Sequence, residues 1–174
     1  MRRNIIALIA AAACLAGGAA SAQQTGFYGG VALSRVDVKP DGFSTYTPIA
    51  GNLVIGNQID KMLAAEVRLG AGLSGDSMNN TEVKIKDYVG GYLKVFAPVS
   101  YAASLYGLLG YTSGKVEASA SGVSVRHNDS DVSYGVGGSF AINRLNFVTI
   151  ELARLFKGTD YTVNALSAGI NMRF

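Results

Sequence analysis

The one histidine of this chain, His127, lies in "SVRHNDSDVS", close to Asp129 and Ser130. These are the residue types of a nucleophile set. A hydroxyl attacks, an imidazole takes its proton, and a carboxylate orients the imidazole. Such a set works only when the three side chains converge, and neighbours in a polar loop have no built-in reason to do so. The spacing therefore argues against catalysis. Metal chemistry has as little support: a lone histidine is a poor site, and Asp37, Asp41, Asp76, Asp129 and Asp131 show no ligand spacing. "GVGG" at Gly135 to Gly138 matches part of a phosphate-binding loop. It sits inside an alternating run with no helix after it, so these glycines read as packing residues. "NNT" at Asn79 and "NDS" at Asn128 match the glycosylation sequon and read as turn residues. No catalytic residue, cofactor or metal is expected.

The elements that carry these residues have a period of two. In "KMLAAEVRLGAGLSG", Leu63, Ala65, Val67, Leu69, Ala71 and Leu73 share one face, with Glu66 and Arg68 on the other. In "DVSYGVGGSFAI", Val132, Tyr134, Val136, Phe140 and Ile142 lie opposite serines and glycines. A helix would need apolar residues three and four apart. Eight such strands are expected, at roughly 26–37, 47–59, 62–74, 82–97, 101–116, 130–142, 145–156 and 162–174. Asp60-Lys61, Pro98-Val99-Ser100 and Asn143-Arg144 form short turns between them, alternating with longer polar connections near 38–46, 75–81, 117–129 and 157–161. That is the layout of an up-and-down meander whose two ends meet different surroundings.

Composition agrees. Gly is high at 22 residues, Pro low at 3, and Trp absent. Residues 1–22 have a basic start at Arg2 and Arg3, an apolar run and an Ala20-Ser21-Ala22 ending. This is a secretory leader, with cleavage expected between Ala22 and Gln23 and residues 23–174 forming one domain. Cys14 is the only cysteine and lies in the leader, so a mature chain without disulfides is expected. The formal charge of +3 falls to about +1 once Arg2 and Arg3 are removed, and no basic block suggests nucleic acid.

Alternation alone leaves the direction of the apolar face open. A soluble barrel would turn it inward around a ligand, and a membrane barrel would turn it to lipid. Four features favour lipid. Glu66, Arg68, Lys94, Glu151 and Arg173 lie on the polar face, where opposite charges could pair inside a narrow barrel. Tyr101 and Tyr111, ten residues apart, would mark two interface girdles about 25 Å apart. The runs are long enough for spans of about 9 to 11 residues. The chain ends on an apolar stripe, Leu166, Ala168, Ile170, Met172 and Phe174, as a strand that must close a barrel would.

With its leader, eight alternating strands and terminal Phe174, the chain resembles the small outer-membrane β-barrels of Gram-negative bacteria. These include opacity-type proteins, the neisserial surface protein A group and the outer membrane protein A barrel. "GFYGGVALS" at Gly26 to Ser34 resembles their opening strand and "NALSAGINMRF" their closing one. The resemblance implies an all-β, eight-stranded antiparallel up-and-down transmembrane barrel. It also implies that the terminal stripe is read by the barrel-assembly machinery. "IELARLF" departs from the family's Glu-aromatic-Arg-aromatic run: Glu151 keeps its place, but Arg154 falls on the opposite parity. Either a bulge shifts the register there or Arg154 snorkels to headgroups.

The expectation is a non-enzymatic outer-membrane protein with a structural or surface-interaction role: adhesion, immune evasion or envelope integrity. Its implied surroundings are outer-membrane lipid and lipopolysaccharide. A host or surface ligand would meet the loops around Lys39 to Tyr46 and Val116 to Asp129. No periplasmic domain is expected after Phe174. The alternatives are a narrow channel for small or apolar solutes, which Tyr28, Tyr92 and Tyr106 on the inner face argue against, and a secreted ligand-binding barrel.

Overall fold

The computed structural model describes residues 26–40, 45–78, 81–120, 123–158 and 161–174. The leader with Ala22 and Gln23, and also Asp41 and Asn79, lie outside the described residues. The strands are β1 (Gly26–Pro40), β2 (Ile49–Gln58), β3 (Leu63–Ser74), β4 (Asp76–Met78), β5 (Thr81–Pro98), β6 (Ala103–Ala120), β7 (Val123–Ala141), β8 (Asn146–Lys157) and β9 (Tyr161–Arg173). β4 continues β3 past Gly75 and pairs with the same neighbour, β5, so the nine segments make eight staves. Every pairing is antiparallel. β1 pairs with both β2 and β9, and β3 pairs with β5, which closes the sheet into a barrel.

Three connections at one end are built alike. Asp60 Oδ1 accepts from the N–H groups of Met62 and Leu63. Ser100 Oγ accepts from Ala102 and Ala103. Asn143 Oδ1 accepts from Leu145 and Asn146. A short polar side chain thus satisfies the two amides that each tight turn would otherwise leave bare. This is the turn end, and Gly26 and Phe174 lie there too. The opposite, hairpin end differs from the sequence expectation. The polar connection expected over 117–129 is strand: β6 runs to Ala120 and β7 begins at Val123, paired from Ala120↔Val123 down to Ala103↔Phe140. The period of two persists there, but its apolar partners have moved inside, as Val116 and Ala118 do between Lys115, Glu117 and Ser119.

Candidate functional site

The lumen is filled in layers. Its centre is an ion cluster. Arg68 holds Glu151 with two parallel bonds, Nη1 to Oε1 at 2.5 Å and Nη2 to Oε2 at 2.8 Å, and its Nε donates to Glu66. Lys94 Nζ lies 3.1 Å from Glu66 Oε2. The phenols of Tyr28 and Tyr106 donate to Glu66 and Glu151 at 2.7 and 3.0 Å. Two carboxylates and two cations cancel, and each carboxylate accepts at least three hydrogen bonds. Burial of these charges is thereby tolerated, whereas one alone would cost several kcal/mol. Arg68 also lies over the Tyr92 ring, at 4.6 Å, and Lys94 over the Tyr106 ring, at 4.0 Å.

Toward the hairpin end comes a belt of hydroxyls and amides. Tyr88 donates to Asn52, Asn52 to Ser34, and Ser34 pairs with Ser167; Tyr92 and Ser133 meet at Thr112. Above the belt the filling is apolar: Val36, Ile85, Leu155, Phe156 and Val163 are buried together. Toward the turn end Tyr28, Val54, Ala64 and Phe147 close the lumen, with Phe96 against them. Within the ion layer one cavity of about 20 Å³ remains, lined by Asn52, Glu66, Arg68, Lys94, Glu151 and Asn171 among others. It has room for about one water molecule, and the buried Asn171 Oδ1 beside it has no partner.

Sequence reasoning missed how the aromatics fit. Four lumenal tyrosines stand directly across from a glycine on the next strand: Tyr28↔Gly56, Tyr88↔Gly70, Tyr92↔Gly110 and Tyr106↔Gly137. A Cβ at any of these glycines would come within 2.1 to 2.6 Å of the ring. The glycines leave space for the rings to lie flat on the wall. Gly137 belongs to "GVGG", which therefore packs an aromatic. The signal was present as Tyr and Gly on inward parity, but it needed the register to be read.

The outward face is apolar over a band. Val31 and Leu33, Leu105 and Leu109, and Ile150 and Leu152 are all about half exposed or more. So is the terminal stripe: Leu166, Ala168, Ile170, Met172 and Phe174 all point outward, and the Phe174 N–H donates to Phe27 O at 3.0 Å. On β7 the band runs from Val132 to Phe140, about 20 Å at a tilt near 40°. Beyond it the wall turns charged: Arg35, Lys86, Lys115, Arg126 and Arg154 form a collar, paired with Asp37, Glu117, Asp87 and Asp131, five cations to four carboxylates.

Three expected positions differ. Tyr101 is fully exposed in the 99–102 turn, which the Ser100 cap holds outside β6, so it shares no strand with Tyr111. Tyr111 does face outward, and its hydroxyl meets Ser130 Oγ at 3.1 Å. Arg173 has inward parity but lies exposed at the mouth, its guanidinium 4.8 Å over the Phe147 ring and away from the ion cluster. At Arg154 the bulge alternative is present. The side chain faces outward with Leu152, reaching Asp131 at 2.6 Å, and the register shifts immediately after it, so that Leu155 and Phe156 are both buried. The residues of the nucleophile set do not converge. Ser130 faces out with Val132, whereas His127 and Asp129 have inward parity, and Asp129 accepts from the Tyr161 phenol at 2.5 Å. Among the described residues, no group of three or more His, Asp or Glu is placed to hold a metal ion.

A closed antiparallel barrel with an apolar belt outside and a polar lumen inside is a transmembrane β-barrel. The chain belongs to the outer membrane protein beta-barrel domain family, whose sequence model matches residues 6–174. Membership implies the Gram-negative outer membrane. Among solved structures, Ail, the attachment invasion locus protein of Yersinia pestis, is similar at 21% identity and a TM-score of 0.67, over 86% of this chain and 99% of that one. Neisserial surface protein A is similar at 14% identity and 0.71, over 87% and 100%. The N-terminal barrel domain of Pseudomonas aeruginosa OprF is similar at 12% identity and 0.59, over 83% and 97%. Ail has also been crystallised in complex with the heparin analogue sucrose octasulfate. No curated protein matches the chain.

Proposed function

We propose that this chain is a non-enzymatic strut and contact surface of the outer membrane. Residues 1–22 export it and are removed between Ala22 and Gln23. The remainder spans the membrane with the turn end in the periplasm and the hairpin end outside. The filled lumen carries this reading: four packed layers, with a cavity of about 20 Å³ within the ion layer, suit a rigid plug better than a path for solutes. The charged collar lies where outer-leaflet headgroups begin, and its arginines and lysines can exchange their carboxylate partners for lipopolysaccharide phosphates or other polyanions. Ail in complex with a polysulfated sugar offers a precedent on a similar scaffold. The outward stripe ending at Phe174 is the segment we assign to the barrel-assembly machinery.

Planar-bilayer recordings test the strut against a channel: no conductance steps above background are expected, and reproducible steps would overturn the reading. Fractionation should place the protein in the outer membrane, with external protease cutting only at the hairpin end. Deleting Phe174 should lower outer-membrane yield more than Phe140→Ala. Equal yields would remove the assembly role from the terminal stripe.

A further inference from the structure

The seams of the barrel are not equally closed. β6 and β7 pair over their whole length, from Ala120↔Val123 to Ala103↔Phe140. β7 and β8 pair only from Tyr134↔Arg154 to Ala141↔Phe147. The neighbouring seam β8–β9 is zipped to Lys157↔Thr162, and β1–β9 to Pro40↔Tyr161. On its β8 side, therefore, β7 from Val123 to Ser130 has no strand partner among the described residues, while its other side is fully paired. The fork is a built feature. The Asp131 carboxylate accepts from the N–H of Val132 at 2.8 Å, from the Lys157 N–H, and from Arg154 Nη2 at 2.6 Å. Ser133 Oγ donates to the Leu155 carbonyl. Side chains thus satisfy the groups where the two strands part, and above that point the edge is left open.

An open edge of eight residues is about 26 Å of backbone donors and acceptors, enough for a strand of ordinary length. Natural edges are commonly blocked by proline, lysine or a bulge. "VSVRHNDS" contains neither residue, and its pairing with β6 runs without a register shift. Its charged side chains have local partners, for which a docked carboxylate would compete. Arg126 binds Glu117 on the β6 side at 2.5 Å, and Asp129 accepts from Tyr161. The outward side chains Ser124, Arg126, Asn128 and Ser130 are exposed and polar, and Arg154 and Lys157, which meet Asp131 through Nη2 and the backbone N–H, stand at the foot of the notch. A strand seated there would place alternate side chains outward between Arg126 and those two cations.

We propose that the open edge of β7, from Val123 to Ser130, docks an extended peptide strand of an external partner by β-augmentation, with acidic residues at the partner's outward positions. Main-chain hydrogen bonds supply the affinity and the cations supply the choice of sequence. The proposal rests on the hairpin end facing outward in the cell. The test uses purified full-length mature barrel in nanodiscs, open from both sides, so its result is independent of that orientation.

The probes are eight-residue peptides alternating Thr with Glu or Thr with Lys, and the Thr-Glu peptide N-methylated along one edge or the other. The Thr-Glu peptide should bind at least tenfold more tightly than the Thr-Lys peptide. It should protect alternate amides of residues 124–130 from hydrogen exchange, and N-methylation of one edge should abolish binding while methylation of the other leaves it intact. Arg126→Glu should weaken binding severalfold with heat-modifiable gel migration unchanged. Binding without amide protection, or binding insensitive to both methylations, would show a polyanion site instead and overturn the strand. Absence of binding by every peptide at millimolar concentration would overturn it as well.

Discussion

On β1, Val31 and Leu33 face out while Ser34 faces in; two residues further on, Arg35 faces out and Val36 faces in. β6 makes the same exchange between Leu109 with Thr112 and Lys115 with Val116. The two regions of the wall keep one backbone period and reverse its polarity. In the band, lipid is the outer solvent, so apolar side chains face it and the charges pair inside. Above the band, water is the outer solvent, and the lumen becomes an ordinary apolar core of Phe156, Val36 and Val163. The level of the exchange marks the membrane surface on each strand, and the charged collar sits on it.

The two regions should differ most at Glu66. Its loss leaves Arg68 and Lys94 short of a carboxylate in the buried band, so Glu66→Ala should cost about 3–5 kcal/mol. Lys115→Ala, which opens the exposed pair with Asp87 on the collar, should cost next to nothing. Urea unfolding from lipid vesicles measures both. Similar losses would mean that the ion cluster is solvated and the lumen open.

A charge added outside tests the other solvent. Ile170→Arg lies in the apolar band and should cost about 2–4 kcal/mol, whereas Thr162→Arg, eight residues up the same strand, should cost about 0–1 kcal/mol. Equal costs would place the membrane surface elsewhere. Next in size is a volume test across the wall. A side chain at Gly70 meets the Tyr88 ring, so Gly70→Val should cost about 1–3 kcal/mol by overpacking. A Cβ at Gly107, on the outer face, meets nothing within 4 Å, so Gly107→Ala should be close to neutral in the same assay.

The band was legible in the sequence because a strong apolar alternation, as in Leu63 to Leu73, marks a strand with one apolar face, and the inward charges and the terminal stripe turned that face to lipid. The hairpin end was not. Its alternation of Val116 and Ala118 with Lys115 and Glu117 is just as regular, but small and charged residues carry it, and they read as a loop when apolar runs are the guide. Glu66, Arg68, Lys94 and Glu151 were visible as inward charges. Their pairing was not, because the β3–β5 register and the long reach from Arg68 to Glu151 belong to the closed barrel. Arg154 shows the limit well: parity detected an anomaly there, and only the register shift before Phe156 shows how an outward Arg154 and a bulge coexist.

The smallest expected effect separates the two regions by acid. Arg126, and after it Lys86, donates to Glu117 and holds its carboxyl below the usual carboxylate range; the Val132 N–H, with Arg154, does the same for Asp131. A carboxyl with a lowered folded pKa contributes stability that is fully present above its ordinary value of about 4 and is lost as pH falls through the lowered one. Between pH 7 and pH 3 the collar and the β7–β8 fork should therefore loosen first. Amide protection, taken relative to the intrinsic exchange rate at each pH, should fall at Glu117, Arg126, Val132 and Lys157, while Leu108 to Gly110 in the band keep theirs. Asp131→Asn should reproduce the change at Val132 and Lys157 at neutral pH and leave Glu117 as it was. Acid that loosened the band and the collar together would mean that the two regions unfold as one, and that the reversal of polarity marks a change of solvent without a change of stability.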